Sequence, residues 1–147
     1  MSEGGASVAG SGELPHRGLR RAGFWAYALV LFTATHWPRL EIQSGVIERP
    51  DLVLHLGAFG VWAALLSLSG LMGHPARGGV ALRVIAVGLV YAAIDESSQA
   101  LPIVQRHAGV DDYLANAAGI VLGAAAAWLT ARRLAPPVRP SAGGTPR

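Results

Sequence analysis

Apolar residues arrive in four blocks separated by short polar stretches that carry glycine and proline. The blocks cover about residues 22–37, 52–72, 80–101 and 113–134. Most of them approach the ~20 residues that a helix rising about 1.5 Å per residue needs to cross a hydrocarbon core about 30 Å thick. The pattern predicts an all-α, polytopic integral membrane protein with four transmembrane helices in a small bundle. Trp37 and Pro38 suit an interfacial exit from the first block. Asp51 suits an N-cap for the second, Asp111 and Asp112 suit the start of the fourth, and Pro102 is expected to end or bend the third. Residues 1–21 and 135–147 are rich in small residues or proline, lack apolar periodicity, and read as disordered tails flanking one membrane domain.

Composition agrees with this division. The chain is 52% hydrophobic and only 14% charged, with a mean hydropathy of +0.39, too apolar for an ordinary water-soluble domain. It contains no cysteine, which excludes disulfides, thiolate metal sites and cysteine nucleophiles. A pI near 10.2 would normally raise nucleic acid as a partner. Every basic residue is an arginine placed at the end of an apolar block, however, so the charges read as topology signals and no nucleic acid is expected. With a cytoplasmic N-terminus, the inside holds Arg17, Arg20, Arg21, Arg77, Arg83, Arg132, Arg133, Arg139 and Arg147, and the outside only Arg39, Arg49 and Arg106. That bias puts both termini in the cytoplasm of a cell-membrane protein. Arg20 and Arg21 before a short apolar block resemble the start of a cleaved signal, but no small-x-small cleavage site follows Phe32, so a retained anchor is the expectation.

Against this apolar background, polar residues gather at the outer ends of the spans. On the fourth block, Asp112, Asn116, Gly119 and Gly123 recur at i, i+4, i+7 and i+11, one stripe that is polar near its start and small deeper in. Gly119 and Gly123 form a G-x-x-x-G pair that lets another helix approach closely, and the third span is the expected neighbour, with Gly123 at the contact. On the third block Glu96 and Gln99 are i, i+3 neighbours, and His55 sits one turn inside the second. Ionisable residues at such depth are costly and mark sites by default.

These positions resemble the VanZ-like family of membrane proteins. The resemblance rests on Asp51 and His55, then Glu96 and Gln99, then Arg106, then Asp112, Asn116, Gly119 and Gly123, and it covers roughly residues 50–123. Two departures stand out: Leu52 takes the place of a lysine, and no glycine precedes Arg106. The resemblance implies a four-helix membrane fold and lowered susceptibility to the glycopeptide teicoplanin.

The residues themselves leave three readings open. Glu96, Gln99, Asp112 and Asn116 could be a satisfied polar network that holds helices together. They could, with His55 and Arg106, bind a membrane lipid or lipid-linked molecule at the outer leaflet, Arg106 gripping phosphate or carboxylate through its planar fork. They could instead form a membrane enzyme with Glu96 as general acid or base, His55 assisting and Arg106 stabilising negative charge. No nucleophile elbow or H-E-x-x-H motif accompanies them, so the reaction class stays open, and neither a metal nor another cofactor is expected. His36 and His107 read as interfacial. Asp95 reads as a second network member or as the lining of a water-filled entry. A structural accessory subunit that packs against a larger membrane complex is a further alternative, and oligomeric state is not legible.

Overall fold

The computed structural model describes residues 16–37, 49–101 and 109–135. Among them lie four α-helices: α1 (Arg17–Thr35), α2 (Pro50–Ser69), α3 (Gly78–Gln99) and α4 (Val110–Leu134). The expected all-α class holds for these residues, and each helix overlaps one apolar block. α2, α3 and α4 are each long and apolar enough to cross a bilayer, the pattern of a multi-pass membrane protein. α1 falls outside that group, and its first turns carry Arg17, Arg20 and Arg21. These three arginines were expected in the N-terminal tail but belong to the helix.

Helix ends differ from expectation in instructive ways. Asp51 does not cap α2: Arg49 occupies the cap position, Pro50 leads the helix, and Asp51 sits in the first turn. Proline suits that place because the amide hydrogen it lacks would have had no intrahelical partner. Asp111 and Asp112 likewise lie in the first turn of α4, with Gly109 as the cap, so they complement the helix dipole rather than cap it. α2 stops at Ser69 because Gly70 takes the left-handed conformation at φ 73°, an arrangement glycine adopts without strain. Pro102 lies outside the described residues.

The tightest contact joins α2 to α4. A Cβ on Gly119 would run into the Leu56 carbonyl, and one on Gly123 would run into the Gly60 carbonyl. A Cβ on Gly60 would itself come within 3.3 Å of the Gly119 oxygen. The small stripe therefore faces the bundle interior, but its partner is α2 and not α3. α3 meets α4 elsewhere, where Gly88 makes room for Ile120. Gly57, one turn before Gly60, has nothing within 4 Å of the place a Cβ would occupy. In lipid, where burial of apolar area gives no drive, such backbone approach supplies the van der Waals contact that associates helices.

Aromatic side chains join the remaining helices. Trp62 stacks on Tyr91 with centroids 5.1 Å apart, linking α2 to α3, and it meets Phe24 of α1 edge-on at 5.6 Å. The Tyr27 hydroxyl donates to the Ala58 carbonyl at 3.0 Å. α1 packs less fully against α3, and a groove of about 660 Å³ runs beside it, lined by Phe24, Trp25, Phe32, Trp62, Leu66 and Tyr91 among others. Leu54, Val61, Leu82, Val90, Ile94, Leu114 and Leu122 point outward. An apolar exterior of that extent suits a hydrocarbon surrounding and would be a liability in water.

Candidate functional site

The C-terminal turn of α3 and the N-terminal turn of α4 meet at the same end of the bundle as the C-terminus of α1 and the start of α2. There the predicted polar constellation separates into two adjoining clusters. The first centres on Asp95, which is 2% exposed. Thr35 donates to its Oδ1 at 2.9 Å, and the Gln99 amide donates to its Oδ2 at 2.9 Å. His36 Nδ1 stands 3.8 Å from Oδ1, while His36 Nε2 is 2.8 Å from the Ser98 hydroxyl. That hydroxyl also lies 2.7 Å from the Asp95 carbonyl. Both carboxylate oxygens are thus engaged, and the cluster ties α1 to α3 just beyond the aromatic groove. Gln99 belongs here, away from Glu96, although the two are close in sequence.

The second cluster joins α2, α3 and α4. His55 Nδ1 lies 3.0 Å from Asn116 Oδ1; since the amide oxygen can only accept, this bond places a ring proton on Nδ1. Glu96 turns towards the start of α4, where its Oε1 accepts the Gly109 amide at 2.7 Å. Glu96 and Asp112 are within electrostatic reach of each other and of His55. His55 in turn reaches Asp95, which connects the clusters.

The second cluster is incompletely satisfied. Glu96 Oε2, Asp112 Oδ1 and Asn116 Nδ2 are all buried and have no hydrogen-bond partner among the described residues. Glu96 is 7% exposed and Asn116 0%. Orphaned buried polar atoms are uncommon because each forfeits roughly 1–3 kcal/mol of solvation. Glu96 also lines a groove of about 280 Å³ between α3 and α4, together with Ala93, Ser97, Gly109, Val110 and Tyr113. Near it, Arg49 bonds Asp51 at 3.0 Å and Asp111 at 2.6 Å. This pinches the starts of α2 and α4 together, and the two carboxylates raise the guanidinium further above its already high range.

Of the residues singled out from sequence, His55, Glu96, Asp112 and Asn116 come together, Gln99 joins Asp95 instead, and Gly119 and Gly123 form the α2–α4 contact beneath the site. Arg106 and His107 lie outside the described residues. Sequence reasoning undervalued Asp95, Thr35 and His36. Their signals were present: Asp95 and Gln99 are spaced i, i+4 on one helix face, and Thr35 and His36 close α1 at the depth where Asp95 closes α3. No group of three metal-ligating side chains converges among the described residues. In comparisons with known proteins, no family model, curated protein or solved structure matches this chain.

Proposed function

We propose that the chain is a VanZ-like protein of the cell membrane whose outer polar pocket holds a lipid head group or lipid-linked molecule and thereby lowers susceptibility to teicoplanin. The observation that carries the binding part is the set of buried, unpartnered atoms on Glu96, Asp112 and Asn116, of which Glu96 also lines an open groove. A network serving only to hold helices would have its atoms paired, as those around Asp95 are. The glycopeptide part rests on the resemblance of residues 50–123. In this reading α1 is a fourth span, both termini are cytoplasmic, and the arginine bias sets the pocket at the outer face. Arg106, in the stretch leading into Gly109, is the natural partner for a phosphate or carboxylate.

Two experiments test this. Single cysteines are clean reporters because the chain has none. Those at Glu48 and Ala108 should react with an impermeant maleimide in intact cells, and those at Ala76 and Ser141 only after permeabilisation. The opposite pattern removes the outer pocket. Expression in a teicoplanin-sensitive Gram-positive host should then raise the inhibitory concentration, and an unchanged value would leave a pocket without the antibiotic role.

A further inference from the structure

The chemistry of the unpartnered atoms narrows what the pocket can take. Glu96 Oε2 and Asp112 Oδ1 are buried carboxyl oxygens without a partner, and in the ionised form each accepts only and requires a donor. The described titratable and charged groups at this end are five carboxyl groups, Asp51, Asp95, Glu96, Asp111 and Asp112, the imidazoles of His36 and His55, and one guanidinium. That guanidinium, Arg49, is occupied by Asp51 and Asp111. With both groups ionised, a phosphate placed between Glu96 and Asp112 would meet repulsion, and a neutral hydroxyl would leave their buried charge uncompensated. A divalent cation would need more converging ligands than the described residues supply. A primary ammonium meets the requirement, with a positive charge and three donors. A trimethylated ammonium has the charge and no donors.

Resting on the reading of this pocket as a head-group site, we propose that it takes the primary ammonium of a membrane lipid such as phosphatidylethanolamine. The ammonium donates to Glu96 Oε2 and faces Asp112 Oδ1. Asn116 Nδ2 is left to donate to an oxygen of the same head group. The groove past Ala93, Ser97, Val110 and Tyr113 admits the head group laterally, so that its chains stay in the bilayer.

The test uses the full chain, purified in detergent and delipidated, then offered phosphatidylethanolamine, phosphatidylcholine and phosphatidylglycerol of identical chains, with retention read by native mass spectrometry. Phosphatidylethanolamine should be retained roughly tenfold better than either competitor, the factor that one charge-assisted hydrogen bond supplies. Glu96→Gln and Asp112→Asn should each lower it to the phosphatidylcholine level while eluting as the wild type does on size exclusion. Free ethanolamine should compete only at far higher concentration if the lipid is the ligand; competition at equal concentration would make the soluble amine the ligand and overturn the lipid assignment. Equal retention of all three lipids overturns the ammonium and leaves the lipid pocket standing. Retention of none overturns both. The wild-type ranking is independent of how either variant folds.

Discussion

Gly123→Leu should abolish the folded bundle, measured as loss of the monodisperse species in detergent after mild heating. Overpacking a core ordinarily costs about 1–3 kcal/mol because side chains and backbone shift to make room. Here the obstacle is the carbonyl of Gly60 in the neighbouring helix, which even a methyl group would strike. A backbone carbonyl inside a helix cannot rotate aside without breaking its own ladder, so all of α2 must move away. That movement also stretches the His55–Asn116 bond, which lies on the same two helices further towards the site. The expected loss therefore exceeds about 3 kcal/mol and takes the site's geometry with it. A graded series makes the claim specific. Gly119→Ala and Gly123→Ala should each be strongly destabilising, Gly60→Ala mildly so at its 3.3 Å approach. Gly57→Ala, which meets nothing, should gain up to the ~1 kcal/mol by which alanine favours a helix over glycine. If Gly123→Ala melts with Gly57→Ala, α2 and α4 do not pack as described.

That series also shows where the sequence was legible. Each apolar block overlaps a helix, and α2, α3 and α4 have the length needed to cross a bilayer, a one-dimensional property that any window of residues displays. The stripe Asp112, Asn116, Gly119, Gly123 correctly announced an inward face, because helical periodicity fixes which residues share a side. The partner of that face was not encoded there. G-x-x-x-G asks only for another close backbone, and α2 offered Gly60 where α3 offered Gly88, whose space Ile120 already fills. The site shows the same limit. His55, Glu96, Asp112 and Asn116 were chosen as costly polar residues at one depth, and depth is readable. The division of Glu96 from Gln99 depends on whether each side chain points to α1 or α4, which is set by rotation about the helix axis once neighbours dock. Thr35 and His36 were passed over because residues ending a short first span resemble an interfacial border when α1 is read alone.

The division between the two clusters predicts opposite responses from adjacent residues. Asp95→Ala should destabilise the protein: it leaves the Thr35 hydroxyl without its bond to the carboxylate and the Gln99 amide without an acceptor, and it removes the charge facing His36. Hydrogen bonds between helices in membrane proteins average about 0.6 kcal/mol and reach about 1.7, so the Thr35–Asp95 bond, which joins α1 to α3, amounts to roughly 1–2 kcal/mol, while the Gln99 bond lies within α3. Thermal unfolding in detergent should shift down accordingly, with α1 the first helix to become accessible to protease at Trp37. Glu96→Gln should do the reverse. Glutamine keeps an oxygen for the Gly109 amide and removes a buried negative charge that has one oxygen unpaired, so the melting temperature should hold or rise. What it loses is the ability to compensate a cation, so phosphatidylethanolamine retention should fall to the phosphatidylcholine level and any teicoplanin phenotype should disappear from a fully folded protein. Loss of stability in both variants would make the two clusters one structural network. Loss of binding from Glu96→Gln alone, in a protein as stable as the wild type, separates the residues that hold the helices from those that hold a ligand.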